Sequence, residues 1–545
     1  MNEKRVIALF FAIILMLGGL IVKLAWLSRP DGTISQAAQL HGSYTLKLGS
    51  SRGTIYDRSM TPLVNASDIY YAAVLPGKNT AQQLAALSPA VSDLTTLEKR
   101  LAARLPFMMQ VASADISANG VRVLRVKQRY GSKPVAPQVV GYLNDGTGAA
   151  GVEKAFDKEL KTYSQTVTVS FPMDASGRSL TGLGSEVSVE GQGDTGGVVL
   201  TLDSGIQQAA REAAEKYIKS GAIVVMDPKT GDILASVSLP EFSQNNLAAA
   251  VSASGSPMTN KAFGSYDLGS VFKVVIAAAA LESGISADFT YNDSTGSISI
   301  GGRLFHSDDP GGDGLLTMAP AFAKSNNPYF ITLGQKVGAQ KILAMASSLG
   351  FGTATTFAAG YATSTGNLPT AKDVSLPGEL ANLSMGQGSL LVTPVQVARM
   401  MSAAANGGLL PTPRLVMRTV DADLKTVKSF DTGPSVRVFS EKTDETLKTF
   451  LVRTVDEGTG TAARPSAGGA GGKTGTAETG VLQNGKKVDR AWFAGYYPAE
   501  NPQYVIVALK ENGSSGGQDA GPAFRYIANY LASRCGYGSS TSSSR

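Results

Sequence analysis

The chain has 545 residues, is 43% hydrophobic and 17% charged, and carries a formal net charge of +6. That length is too great for one ordinary domain and points to two or three. The mild charge is scattered without a dense basic run, which argues against a nucleic-acid partner. Only two histidines, His41 and His306, and one cysteine, Cys535, occur, which excludes a Cys/His zinc site and a disulfide within the chain.

Lys4-Arg5 precede an uncharged apolar run over 6–22. Continued to Leu27, a helix there rises about 33 Å, enough for a hydrocarbon core of about 30 Å. Lys23 can snorkel and Trp26 suits the interface. No A-x-A-like site follows closely, so an uncleaved single-pass anchor in the cell membrane is expected, with a short cytoplasmic tip. Everything after Arg29 then lies outside, which disfavours nucleotide chemistry.

After a polar connection over 28–51, short strand-like pieces occur at 69–74 and 121–126, with small helices within 85–105 and a helix over 152–160. No catalytic cluster occurs between 28 and 195, so this stretch reads as a spacer or interaction domain. The pattern changes near 196. A strand over 198–202 leads to Asp203 or Ser204 as cap of an amphipathic helix reaching about Lys219. Strands over 221–226 and 233–238 flank a turn in which Lys229-Thr230-Gly231 lies. Late strands over 491–496 and 504–509 precede a helix over 521–533, and a Ser-rich tail from Gly536 reads as disordered. Hairpins with helices at both ends imply an α/β layered domain with one antiparallel sheet. The expected division is 1–27 tip and anchor, 28–195 membrane-proximal domain, 196–535 main domain and 536–545 tail.

The main domain carries three candidate motifs. In Gly264-Ser265-Tyr266-Asp267-Leu268-Gly269-Ser270-Val271-Phe272-Lys273, Ser270 falls in the first turn of an Ala- and Leu-rich helix with Lys273 three residues on. The i and i+3 positions share a face, and the helix start favours negative charge on an oxygen. A lysine sunk in a core tends towards its neutral, proton-accepting form, and a serine beside it is an activated nucleophile. Alone, S-x-x-K is weak, since chance supplies about one or two in a chain this long. Lys324-Ser325-Asn326-Asn327-Pro328 offers a hydroxyl and an amide two positions apart, but by itself reads as ordinary loop chemistry. Gly471-Gly472-Lys473-Thr474-Gly475-Thr476 nearly fits a P-loop, yet residue 467 is Ala and no apolar strand precedes it. An inert Gly-rich loop, or a cleft-lining strand whose glycines allow close backbone approach, remain. A serine–histidine triad would have to recruit His41 or His306, and His306 reads as a surface or loop residue, so a lysine-based serine enzyme suits the inventory better.

In that order, Ser270-x-x-Lys273, Ser325-x-Asn327 and Lys473-Thr474-Gly475 form the signature set of penicillin-binding proteins and serine β-lactamases. The wider context resembles a class B penicillin-binding protein, a monofunctional peptidoglycan D,D-transpeptidase. It includes Arg52-Gly53-Thr54-Ile55-Tyr56-Asp57-Arg58, Gly151-Val152-Glu153, Thr201-Leu202-Asp203, Tyr266-Asp267-Leu268-Gly269-Ser270, Met385-Gly386-Gln387-Gly388 and Ala491-Trp492-Phe493-Ala494-Gly495-Tyr496. Asp267-Leu268 departs from the usual Glu-Pro, and Ser59-Met60-Thr61 from a Gly-containing turn. The resemblance implies a penicillin-recognising transpeptidase fold on a strand-rich, membrane-proximal pedestal (dimerisation-like) domain. It implies Ser270 as nucleophile, Lys273 as its base, Ser325 and Lys473 as proton carriers, and backbone N–H groups of Ser270 and Thr476 as oxyanion hole. Asn327, Thr474, Gly475 and Thr476 would hold the substrate, a stem peptide ending in D-Ala-D-Ala. β-Lactams would acylate Ser270, no metal or cofactor would be needed, and a polytopic membrane glycosyltransferase would be the partner. The rival readings are a β-lactam-hydrolysing or β-lactam-sensing protein, with Glu379 the one tempting deacylation base, and a non-enzymatic scaffold of the wall-building complex.

Overall fold

The computed structural model describes residues 3–27, 42–78, 80–173, 184–307, 309–483 and 486–534. His41, Cys535, the Ser-rich tail and most of the connection after the anchor lie outside these residues, as do Asn484 and Gly485. A helix spans Glu3–Leu27. Its stretch Ile7–Trp26 is long and apolar enough to cross a membrane by length and composition.

The chain forms two compact units and passes repeatedly between them. One comprises Met1–Arg52, Asn65–Arg129 and Tyr163–Asp194, the other Gly53–Val64, Tyr130–Thr162 and Thr195–Arg545. The block 28–195 is therefore shared: its segments Gly53–Val64 and Tyr130–Thr162 fold with the larger unit.

The smaller unit holds two antiparallel three-stranded sheets. Ser67–Val74 is the centre of one, between Phe107–Val111 and Val121–Gln128. Gln165–Pro172 is the centre of the other, between Ser43–Ser51 and Glu186–Gly191. Helices Thr80–Leu87 and Leu94–Ala102 bury Leu87, Leu97 and Leu101 with Ala72, Val74, Phe107 and Val111 of the first sheet. Asp93 caps the second helix by accepting from Thr96 N at 2.9 Å.

The larger unit is built on a five-stranded antiparallel sheet. Its strands are β1 (Gly221–Met226), β2 (Ile233–Leu239), β3 (Gly471–Gln483), β4 (Lys486–Tyr497) and β5 (Tyr504–Gly513), in spatial order β2-β1-β5-β4-β3. Helix α1 (Ser204–Ala213) begins at Asp203, whose carboxylate accepts from Gly205 N and Ile206 N at 3.0 Å each. Beyond Ala213 the coil widens to a π-helical turn over Ala214–Ile218, so the expected helix is reached by two windings. Further helices are α2 (Lys273–Glu282), α3 (Met318–Ala323), α4 (Asn327–Val337), α5 (Pro394–Ala403), α6 (Glu441–Asp456) and α7 (Gly521–Arg534).

Both faces of the sheet are covered. Ile223, Val225, Phe493, Ile506 and Ala508 share one core with Ile206 and Ala210 of α1 and Phe524, Ile527 and Leu531 of α7. Ala222, Val224, Trp492, Val507 and Leu509 share the other with α2 and α5. Every residue of β1 and β2 is buried. A strand buried on both faces reads as a continuous apolar run instead of alternating. A separate sheet joins Thr54–Tyr56 in parallel to Gly197–Leu200, which pairs in turn with Val416–Val420.

Leu509 lies mid-strand and is fully buried. Leu509→Ala is expected to cost about 2–5 kcal/mol, seen as a lower thermal midpoint and a lower urea midpoint with unchanged m-value.

Candidate active site

Leu268 to Ala280 are buried at every position except Ser270, which is half-buried. Ser270 sits in a 3₁₀ turn, Gly269–Phe272, that runs directly into α2 at Lys273. The hydroxyl therefore stands at the wet end of an otherwise dry helix. Backbone from two other segments closes on this turn. Gly269 has φ +65°, and a Cβ there would lie 2.5 Å from Thr476 O. Its N–H donates to Gly386 O at 2.9 Å, and a Cβ on Gly386 would meet Gly269 O at 2.0 Å. Only glycine fits either position. Trp492 Nε1 donates to Asp267 O at 2.8 Å and anchors the chain just before the turn.

The three motifs meet at Ser325. Lys273 Nζ donates to Ser325 O at 2.6 Å, to Ser325 Oγ at 3.2 Å and to Asn327 Oδ1 at 2.7 Å. Lys473 Nζ donates to the same Ser325 Oγ at 2.9 Å and to Thr474 O at 3.1 Å. Both lysines are 0% exposed. Each Nζ also sits over a ring: Phe330 with its centroid 5.6 Å from Lys273, Phe322 with its centroid 5.7 Å from Lys473. A hydroxyl has two lone pairs and one proton. With both lone pairs taken by Nζ donors, the Ser325 proton is left to donate elsewhere. Ser325 itself is in the left-handed region, φ +60°, between α3 and α4. That conformation costs about 1–2 kcal/mol in a non-glycine residue, and here it turns the carbonyl and the hydroxyl of one residue towards Lys273.

Asn326 holds this turn. Its Oδ1 caps α4 at Tyr329 N (2.8 Å), and its Nδ2 donates to Asp293 Oδ2 (2.5 Å) and Asp313 Oδ2 (2.9 Å). Asn327 Nδ2 donates to His306 O at 2.9 Å. His306 is thus an exposed end residue of the strand Arg303–His306, close to the site through its carbonyl.

Lys473, Thr474, Gly475 and Thr476 lie in β3, a strand followed by its β4 partner. The P-loop arrangement, in which Lys-Thr opens a helix, is absent here. A Cβ on Gly475 would meet Leu268 O at 2.8 Å and Val271 Cγ2 at 2.9 Å, so the strand runs against the Ser270 turn at contact distance. Thr474 is 6% exposed and pairs its hydroxyl with that of Thr459 at 2.6 Å. Thr476 is exposed and accepts from Gly516 N at 3.2 Å. Gly516 opens a turn ordered by Asp519, which accepts from Ser514 N at 2.7 Å, Ser515 N at 3.0 Å and Lys510 Nζ at 2.7 Å. Burial would raise the Asp519 pKa, but the Lys510 ammonium and the two backbone donors prevail and hold it at about 2.

Beneath the approach to Ser270, Glu511 accepts from Lys261, from Ser220 Oγ at 2.7 Å and from Tyr266 OH at 3.2 Å. Burial pushes the Glu511 carboxyl up, but its donors, Lys261 foremost, bring it below the usual range. Burial and the Glu511 charge push the Tyr266 phenol upward.

Lys273 and Lys473 thus meet at Ser325, with Asn327 on Lys273; Ser270 stands on the turn that runs into Lys273, and Thr474, Gly475 and Thr476 follow Lys473 on the strand that passes this turn. Glu379 is exposed in the first turn of the helix Pro377–Ser384. Thr459, Asp293 and Asp313 carried no sequence signal. Asn326 carried one, since an Asn just before a Pro-led helix is a capping pattern. Among the described residues, no group of three or more His, Cys, Asp or Glu is placed to hold a metal ion.

Residues 221–529 match the family described as penicillin binding protein transpeptidase domain. The chain is 32% identical to stage V sporulation protein D of Bacillus subtilis over 69% of its own length, and spans 58% of that relative. It is 30% identical to the peptidoglycan D,D-transpeptidase PbpA of Mycolicibacterium smegmatis, covering 76% of this chain and 86% of the relative. The crystal structure of penicillin-binding protein 3 from Mycobacterium tuberculosis complexed with aztreonam superposes with a TM-score of 0.65. That match has 26% identity and covers 90% of this chain and 97% of the other.

The Asp519 pKa is depressed in the folded chain, so its contribution to stability is present above the unfolded carboxylate value of about 3.9 and fades as pH falls towards 2. Asp519→Asn is expected to lower the thermal midpoint at pH 7 and to flatten the loss of stability between about pH 4 and 2, measured by thermal melts across that range.

Proposed function

The chain belongs to the penicillin-binding protein transpeptidase family, and from that premise we propose that it is a serine D,D-transpeptidase crosslinking peptidoglycan stem peptides through an acyl-enzyme on Ser270. One observation carries the assignment: the two buried lysines of separate motifs, Lys273 and Lys473, donate to one hydroxyl, Ser325 Oγ.

In this proposal Lys273 acts in its neutral form, with one of its three contacts given up to free a lone pair, and takes the proton of Ser270 Oγ as that oxygen attacks the carbonyl carbon between the two terminal D-alanines. Negative charge gathers on the former carbonyl oxygen. The N–H groups of Ser270 and Thr476 receive it at the start of a helix. The close approach of the Gly269 and Thr476 backbones supports that pairing. The C–N bond then breaks, and the departing D-alanine nitrogen takes the outward-facing Ser325 proton. Lys473, bonded to Ser325 Oγ, replaces it. Asn327 receives the peptide amide, Gly475 lets the stem lie close along β3, and Thr474 and Thr476 bind its terminal carboxylate. The amine of a second stem attacks the ester carbonyl; the new C–N bond forms as the C–O bond to Ser270 breaks, the amine's proton goes to Ser270 Oγ, and the proton held by Lys273 passes through Ser325 Oγ back to Lys473. A β-lactam enters the same first step, but its amine remains tethered after ring opening, so the acyl-enzyme persists.

The location proposed is single-pass, with the helix Glu3–Leu27 in the cell membrane and everything after Arg29 on its outer side. A polytopic membrane glycosyltransferase supplying glycan strands is the proposed partner, supported by the family resemblance.

Ser270→Ala is expected to abolish covalent labelling by a fluorescent penicillin with thermal stability retained. Lys273→Ala is expected to slow labelling about 10²-fold or more. Persistent labelling of the Ser270→Ala variant would falsify the assignment, and rapid turnover of the label by the wild-type chain would identify a hydrolase instead.

A further inference from the structure

We propose that Thr459, outside all three motifs, is a positioning residue of this site: its hydroxyl orients that of Thr474 to donate to the substrate's terminal carboxylate. The inference rests on the transpeptidase assignment and adds to it the device that sets the carboxylate contact.

The segment 458–460 has little freedom. A Cβ on Gly458 would lie 2.4 Å from Ala323 O, and one on Gly460 would lie 3.0 Å from Thr454 O. On the other side, a Cβ on Gly517 would meet Thr459 O at 2.4 Å. Thr459 is held between these approaches, and its own N–H donates to Ala323 O at 3.1 Å. Ala323 closes α3, two residues before Ser325. The half-buried Thr459 therefore ties the turn of Ser325 to strand β3, where its Oγ1 lies 2.6 Å from Thr474 Oγ1.

Proton counting gives this contact direction. The Thr459 hydroxyl has one proton and two acceptors in reach, Thr474 Oγ1 at 2.6 Å and Ala323 O at 3.4 Å. The carbonyl lies beyond the usual O–H···O range, whereas the Thr474 oxygen lies within it, towards its short end. When an anion enters the groove, the Thr474 proton turns to it, and the Thr459 proton follows onto the vacated Thr474 lone pair. The two hydroxyls then form a polarised chain ending on the carboxylate. Without Thr459, Thr474 loses the neighbour that sets its rotor, and its proton is as free to serve another acceptor as the anion.

The test uses the full-length chain in detergent with two probes, benzylpenicillin and its methyl ester, which lacks the anionic group. Thr459→Val is expected to lower the second-order acylation rate of the acid about tenfold, about 1.4 kcal/mol, and that of the ester less than about twofold. Those figures match loss of one hydrogen bond to a charged group. Thr459→Ser is expected to restore the acid rate. Thr474→Val is expected to show the same acid-selective loss, with the double variant no worse than Thr474→Val alone. Equal slowing of acid and ester, or a Val variant as fast as wild type, would overturn the proposal. A strictly additive double variant would overturn it too, because the two hydroxyls would then act separately. If wild type takes label from neither probe, the acyl-enzyme reading itself falls, and this one with it.

Discussion

Two lysine side chains, buried to zero exposure, share the oxygen of one serine. Taking two amines out of water is costly unless hydrogen bonds replace the lost hydration. Here the replacement comes from Ser325, Asn327 and the Thr474 carbonyl, with Phe330 and Phe322 behind the nitrogens. The arrangement exists only if α2, the α3–α4 turn and β3 are all in place, since each supplies one of the participants. Ser325 adopts a backbone conformation unfavourable for serine because that conformation presents two oxygens of one residue to Lys273. Asn326, through its pair of carboxylates and its cap on α4, keeps it there.

Close backbone approach is the second requirement. Strand β3 can pass the Ser270 turn only because position 475 has no side chain, and the turn can meet Thr476 only because position 269 has none, and Gly386 only because position 386 has none. Around these contacts the polar groups beneath the site, Glu511 with Lys261, Ser220 and Tyr266, brace the residues leading into Ser270. The catalytic geometry is thus fixed by backbone contact and by buried polar pairs, while the apolar cores on the two faces of the sheet supply the stability.

Much of this was legible before any coordinates. The strands β1, β2 and β5 announce themselves as apolar runs, the helix after Ser270 by its alanines, and α1 by Asp203. The three motifs named their own residues, because the proposed nucleophile, base and anion-binding strand need particular side chains at short spacing. What stayed hidden depends on contacts between distant positions. Thr459 looks like any loop threonine until Thr474 is beside it. Asp293 and Asp313 acquire meaning only when Asn326 points at them. The sharing of 28–195 between two units was equally hidden, because a three-residue strand, Thr54–Tyr56, is too short to show that its partner is Gly197–Leu200.

The order of the central sheet bears on how such a chain comes to be folded at all. β1, made early in the larger unit, has β5, made near its end, as its neighbour, with Ala222 opposite Leu509. Until synthesis reaches that last strand, β1 has an unfilled hydrogen-bonding edge, although α1, α2 and α5, made earlier, are already available to cover its two faces. Loop closure of this span carries a large entropic barrier, and the waiting hairpin is a surface on which other chains can add. Nascent molecules of this protein therefore carry one open strand edge through about half of their synthesis, an exposure that follows from strand order.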